Sequence, residues 1–490
     1  MLFRNTAFQL FGRGTSLLAG LVAVPVYLHY LGAEAYGVVG VFISLMSLSG
    51  LFDLGLPIAI NRQISVMRGE GKSALEISSV IRSFELIFAG LCTVIFAVIF
   101  AGSGFIATQW LNLVNLTPET VTSALQLAGM AVVLRFPTAF YNNVLFAFDC
   151  HARANVVASA GAIARIGLSI LAFEFFGASL EVFFWSQIVI NGLELLILAF
   201  ILWSSGLHFI APIAKVAQLG GSLHMTIPLS GISVSALLLS QLDKVILSKA
   251  VALDVFGLYS VAYGLAMGLL PIAYSVGNAS FPQISRLLSA KQLVEMQAIV
   301  RRAVALLLIG VIPLSGVLIF FTDQIMPFLH LFTPKASDVL TYLPFLAFGA
   351  LCQTFTVLFH GYKVAQGKPT SLFYINLAAL VVFSGVFLYA VYLWSVIGAC
   401  IAFVGLNIFI VGAQTTLVWF DENSAYWRGN IVKLYRNALI LLAWFYMCSM
   451  LLPIGATLLE NTLILLGPLL MAVAFQMWLY KKGINANVGG

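Results

Sequence analysis

Three arginines, Arg13, Arg135 and Arg165, stand inside long apolar stretches of this chain. A charged side chain at the centre of a bilayer costs ~2.5–3.5 kcal/mol on insertion scales, so each needs a partner, a water-filled space or a ligand. Guanidinium presents a planar fork of N–H donors that fits phosphate and carboxylate oxygens in pairs, so the chemistry on offer is anion binding. Each arginine lies on a small or polar stripe whose members recur three or four residues apart, the spacing of one helical face. The stripes are Gln9, Arg13, Ser16 and Gly20; Arg135, Thr138 and Asn142; and Ala158, Ala162, Arg165, Ser169 and Ala172. A fourth holds Gln187, Asn191 and Glu194. Four helices that turn such faces away from lipid predict a water-filled, cationic cavity in the N-terminal half. The competing structural reading pairs Arg165 with Glu194 or Glu174, and Arg13 with Asp53 or with the headgroups. Arg135 has no acidic neighbour in sequence and lies at least twelve residues from either end of its expected helix. That is roughly 18 Å, beyond snorkelling reach.

The second half is less cationic. Asp243-Lys244 reads either as an ion pair near a helix end or as a coupling site. Tyr259, Tyr263, Tyr274 and Asn278 surround Pro271. Tyrosines at that spacing serve packing, or sugar rings if the space beside them is wet. Pro25, Pro137, Pro271 and Pro313 fall within apolar runs and are expected to kink them.

The elements that carry these residues follow from composition. The 490-residue chain is 61% hydrophobic and only 9% charged, with a mean hydropathy of +1.04. Soluble domains carry roughly 25% charged residues, so lipid must solvate most of this surface. Runs long enough to cross a bilayer, about 20 residues each, fall at 7–31, 35–58, 82–104, 121–147, 155–175 and 180–204. They continue at 224–248, 256–281, 302–322, 338–362, 370–394, 397–420, 437–456 and 461–480, about fourteen transmembrane helices in all. With both termini in the cytoplasm, eighteen of the 24 Lys and Arg residues fall in inward segments, whereas outward loops hold only Lys249 and Lys335. That asymmetry sets the expected orientation and accounts for the net charge of +6 without nucleic acid. The basic segments around 59–81 and 282–301 are expected to form amphipathic helices at the inner surface.

The halves repeat at an offset of 220: Glu34-Ala35-Tyr36-Gly37 lies over Asp254-Val255-Phe256-Gly257, and Gln63-Ile64-Ser65 over Gln283-Ile284-Ser285. Six helices separate the copies, so they are parallel repeats, an architecture of transporters. The expected organisation is an N-terminal lobe at 1–204, a cytoplasmic linker at 205–223, a second lobe at 224–420, and two further helices with a tail at 421–490.

Enzymatic signatures are missing. Gly71-Lys72-Ser73 has Val66 where a phosphate-binding loop needs glycine. No motif for metal-assisted or serine-nucleophile chemistry occurs, and the five cysteines are too scattered for a metal site. The chain is expected not to be an enzyme and to need no cofactor.

Tyr30-Leu31-Gly32, Tyr36-Gly37 and Phe52-Asp53-Leu54-Gly55-Leu56, together with Gln241 to Ser248, Phe256-Gly257-Leu258-Tyr259 and Phe281-Pro282, give the chain a resemblance. It resembles the Wzx-type lipid-linked oligosaccharide flippases of the multidrug/oligosaccharidyl-lipid/polysaccharide (MOP) exporter superfamily, over its whole length. The resemblance implies two six-helix lobes with two extra helices, in a bacterial inner membrane. It also implies alternating-access passage of an undecaprenyl-diphosphate-linked oligosaccharide for O-antigen or other surface polysaccharide, beside other polysaccharide-assembly membrane proteins. Proton or sodium coupling occurs in relatives, with Glu194 and Asp53 the available carboxylates. Arg13, Arg135 and Arg165 match the cationic cavity residues expected to hold the anionic head. The alternatives are a lipid II flippase and, less in keeping with a basic cavity, a multidrug cation antiporter. From another class, a membrane glycan polymerase or ligase would need a large outer loop, which this chain lacks.

Overall fold

In hydrocarbon no water satisfies backbone N–H and C=O groups, so apolar runs fold as helices that bond internally. The computed structural model describes the backbone of residues 2–52, 55–213, 227–455 and 457–485. Side chains are described from residue 23 to 478 within these, apart from residues 58, 227–230, 232 and 233. Among the described residues there is no strand, only an isolated bridge between Asn112 and Ala252. The helices are α1 (Leu2–Ser49), α2 (Leu56–Gly69), α3 (Ala74–Phe105, continued by a π-helical turn Ile106–Trp110), α4 (Pro118–Arg135) and α5 (Thr138–Ala147). Next come α6 (His151–Phe176), α7 (Leu180–Trp203), α8 (Ile227–Ala250), α9 (Leu253–Met267), α10 (Leu270–Ser289) and α11 (Leu293–Gly310). The chain closes with α12 (Ile312–Phe320), α13 (Thr322–His330), α14 (Ala336–Ala365), α15 (Thr370–Trp419), α16 (Ala425–Leu451) and α17 (Leu458–Asn485).

Among the described residues, eleven stretches are long and apolar enough to cross a membrane. The 50-residue α15 would extend roughly 75 Å as one rod, but it reverses at Trp394-Ser395, where Ser395 takes φ 52°. α1 likewise breaks at Gly32, φ 76°. Two of the eleven are thus broken, and the 24-residue α8 lies outside them, against about fourteen crossing segments expected from hydropathy.

Local sequence explains most boundaries. Ser73 and Glu76 form a reciprocal capping box at the start of α3, Glu76 N–H donating to Ser73 Oγ at 3.2 Å and Ser73 N–H to Glu76 Oε2 at 3.0 Å. Thr117 and Ser179 cap α4 and α7 on one side only, their hydroxyls accepting from the Thr120 and Val182 N–H groups, each at 3.3 Å. Pro137, Pro271 and Pro313 each fall where one helix stops and the next begins. Pro25 does not: α1 runs through it and breaks seven residues later. A membrane helix can absorb one missing N–H, whereas Gly32 adopts a left-handed conformation that a side chain would strain. The second expected span, 35–58, also ends early at Ser49, and Leu56–Gly69 is a separate helix begun by Gly55, φ 76°, and Pro57.

The chain forms two compact units, Met1–Gly257 and Leu258–Gly490. In the first, α6 packs on α1 and α7, α4 on α3 and α7, α2 on α5, and α8 on α1. In the second, α14 packs on α15, α10 and α12, while α16 lies on α11 and α12. The first unit also shows the internal repeat in atomic detail. A Cβ on Gly37 would meet the Leu253 carbonyl oxygen at 2.3 Å, and one on Gly257 would meet the Ala33 oxygen at 2.0 Å. Residues 33 and 37 are 220 positions from 253 and 257, so one contact is made twice with its partners exchanged. The repeat is read in that reciprocal crossing, which glycine alone permits. Beside it, the Glu34 carboxylate accepts the backbone N–H groups of Val114, Asn115 and Leu116 at 2.7, 2.9 and 3.2 Å, fixing the loop before α4.

Candidate functional site: two arginines on one carboxylate

Three helices of the first unit bring charges together. Pro137 cannot continue α4 and so leaves Arg135 as its last residue, with the Thr138 hydroxyl donating to the Arg135 carbonyl at 2.7 Å. The expectation that Arg135 sits deep inside one unbroken helix is therefore corrected: it stands at an interruption. Arg165 stands mid-way along α6, where Ser169 Oγ donates to its carbonyl at 2.8 Å and Tyr27 Oη, from α1, at 3.4 Å. Glu194 stands mid-way along α7.

These meet at a single atom. Glu194 Oε2 accepts from Arg135 Nη1 at 2.5 Å and from Arg165 Nη2 at 2.9 Å. Arg165 Nη2 also donates to Asn191 Oδ1 at 3.1 Å, while Asn191 Nδ2 donates to the Ala131 carbonyl of α4 at 3.0 Å. One turn along, Ser169, Ser186 and Gln187 continue the polar seam between α6 and α7, the two hydroxyls 2.7 Å apart and Gln187 Nε2 3.2 Å from Ser169 Oγ. Small residues on α6 let α7 approach: a Cβ on Gly161 would lie 3.0 Å from Glu194 Oε2. The Glu194 side chain is 3% exposed, against 34% for Arg135 and 21% for Arg165, so both arginine side chains are more open than that of their counter-ion. Two cations against one anion leave a positive charge in excess.

Arg135, which has no acidic neighbour in sequence, is paired with Glu194, 59 residues away. Of the two acids offered to Arg165, Glu194 is the partner, and Glu174 instead accepts the Tyr30 hydroxyl at 2.5 Å. Asn142, on α5, keeps a buried Oδ1 with no hydrogen-bond partner, as do Asn155 Nδ2 and His151 Nδ1 on α6. Sequence reasoning passed over those last two, although Asn155 lies one turn before Ala158 on the Arg165 stripe. The side chains of Gln9 and Arg13, and all of Asp53, lie outside the described residues.

The other candidates do not join this cluster. Asp243 and Lys244 form a buried pair at 3.2 Å on α8, and Lys244 Nζ also donates to the Ser240 carbonyl at 2.7 Å. Lys244 lines a largely apolar cavity of about 190 Å³ with Ser44, Leu48 and Trp110. In the second unit Tyr259 is fully buried, its ring 6.2 Å from Tyr263 and 6.4 Å from Tyr342, and Tyr263 packs edge-on against Phe403 at 5.8 Å. Tyr259 is thus a core residue, not a cavity-lining one. Tyr274 and Asn278 are exposed.

Residues 2–288 match the family model described as polysaccharide biosynthesis protein, and residues 228–390 match the MatE model. A Shigella flexneri protein named "Putative O-antigen transporter" is 22% identical over 298 residues, 59% of this chain and 68% of that protein. Among solved structures, the lipid II flippase MurJ in an inward closed conformation superposes with a TM-score of 0.70 at 17% identity, covering 98% of this chain and 100% of that one. An inward-facing multidrug resistance MATE family transporter of the MOP superfamily gives 0.68 at 14% identity, covering 88% and 99%. This multi-pass membrane protein belongs to the polysaccharide biosynthesis protein family, the Wzx-type branch of the MOP superfamily of transporters.

Proposed function

We propose that the chain is a flippase for undecaprenyl-diphosphate-linked oligosaccharide, moving it from the cytoplasmic to the outer leaflet of a bacterial inner membrane for O-antigen or another surface polysaccharide. One observation carries the reading: two guanidiniums share one carboxylate oxygen among apolar helices, leaving positive charge and unused N–H donors. A diphosphate supplies the oxygens and negative charge that this arrangement lacks. Residues 1–204 and 224–420 are in this reading the lobes that alternate access, joined through 205–223, with 421–490 as the added helices and tail. The basic inward segments orient both termini to the cytoplasm. Arg13 on α1 is a third candidate for the anionic head, and the partnerless amides of Asn142 and Asn155 are suited to sugar hydroxyls. No substrate-driven step requires a cofactor; energy would come from a proton or sodium gradient or from the substrate's own.

The lipid II flippase reading draws on the fold shared with MurJ over the whole chain and on the same diphosphate chemistry. Complementation separates the two. The chain should restore surface polysaccharide to cells lacking their oligosaccharide flippase and should not rescue cells depleted of their lipid II flippase; the reverse outcome would replace the proposal. A multidrug cation antiporter is disfavoured because the charge at the site has the wrong sign.

A further inference from the structure

An arginine pair built only to attract an anion would not need a buried acid between its members. We infer that Glu194 is the resident anion of this site, and that an arriving diphosphate binds by taking Arg135 away from it. The inference rests on the substrate reading above and assigns Glu194 a role within it as a positioning residue.

The two arginines are held unequally. Arg165 is the less exposed, has Asn191 Oδ1 as a second acceptor at 3.1 Å, and stands in mid-helix. Arg135 is the more exposed, stands at the end of α4, and among the described residues its guanidinium has Glu194 as its one hydrogen-bond partner. A guanidinium offers five N–H donors, so Arg135 keeps most of them for another acceptor. Glu194 cannot follow Arg135 toward solvent, because it is 3% exposed and lies against the bare backbone of Gly161.

The charge balance makes the exchange inexpensive. A buried carboxylate stripped of all its partners is strongly unfavourable. Here the departure of Arg135 leaves Glu194 paired one-to-one with Arg165, so no bare charge is created. The substrate then competes with a single carboxylate for one arginine, and the same carboxylate draws that arginine back when the substrate leaves. Glu194 thereby lowers affinity and speeds release, which suits a carrier that must let go in the opposite leaflet.

The test uses the full chain in lipid nanodiscs with inorganic pyrophosphate as the probe, measured by calorimetry, beside glycan export in cells. Glu194→Gln keeps the shape and a hydrogen-bond acceptor but removes the competing charge. It should bind pyrophosphate about tenfold more tightly, a change of ~1.4 kcal/mol, and export glycan more slowly. A merely structural acid would weaken binding when neutralised. Arg135→Ala should lose pyrophosphate binding. If it does while Glu194→Gln binds no tighter than the unaltered chain, the resident-anion inference is overturned and the arginine site stands. If Arg135→Ala binds pyrophosphate as well as the unaltered chain, the substrate reading itself fails. Should Glu194→Gln not fold, Glu194→Asp withdraws the carboxylate from Arg135 while keeping its charge. It should tighten binding by a smaller factor, and no tightening would overturn the inference equally.

Discussion

Deleting both arginines of the cluster should cost far more than the two single deletions combined. In Arg135→Ala, Glu194 retains Arg165 at 2.9 Å; in Arg165→Ala it retains Arg135 at 2.5 Å. Each single change removes one charge-assisted hydrogen bond but also relieves repulsion between two guanidiniums, a net loss of about 1 kcal/mol. The double variant strands a carboxylate whose side chain is 3% exposed, a situation that costs ~3–5 kcal/mol. The expected coupling is therefore on the order of 1–3 kcal/mol beyond additivity. Thermal unfolding of the purified protein in detergent, followed by tryptophan fluorescence, reads it as a double-variant midpoint far below the sum of the single shifts. Adding Glu194→Gln to the double variant should recover most of the loss. Export of glycan should fail in Arg135→Ala even though the protein stays abundant and folded, and Arg135→Lys should keep only part of the activity because a point charge replaces a fork. Additive midpoints, with no recovery in the triple variant, would refute the shared-carboxylate account.

Other outcomes follow from contacts elsewhere. Gly257→Ala places a Cβ 2.0 Å from the Ala33 carbonyl oxygen, so the crossing must open; folded yield on size exclusion should drop, by more than the ~1–3 kcal/mol typical of overpacking. Glu34→Ala leaves three backbone N–H groups without their acceptor and should destabilise by about 1–3 kcal/mol or more, measured by the same unfolding assay. Asp421, between α15 and α16, is pushed up by burial, but hydrogen bonds from Lys363, Gln366 and the Asn423 N–H outweigh this and hold its carboxyl below the ordinary range. Its contribution to stability is present above the unfolded-state value of ~3.9 and is lost as pH falls through that value toward the lower folded one. Unfolding midpoints should drop on acidification across this window, and Asp421→Asn should flatten that part of the profile.

What the chain discloses by itself is the part of its physics that is local. Hydropathy over some twenty residues fixes which segments cross the membrane, and Pro137, Pro271 and Pro313 mark three interruptions, because lipid and a missing N–H act on a segment regardless of its neighbours. The offset of 220 matched Gly37 with Gly257 before their crossing was seen, since a repeated backbone contact demands the same small residue twice. Arg135, Arg165 and Glu194 could be picked out individually, as charges that hydrocarbon rejects. The pairing of Arg165 with Glu194 was one of two left open, and the arrival of Arg135 on the same oxygen could not be read. Which acid an arginine finds depends on the rotation of α4, α6 and α7 about their axes and on how closely Gly161 lets α7 approach, and no single helix carries that information. For the same reason Tyr259, whose spacing suited a wet wall as well as a core, became a core residue only when Tyr263 and Tyr342 closed over it. Tertiary packing alone turned two separate arginine stripes into a cluster with one anion and two claimants.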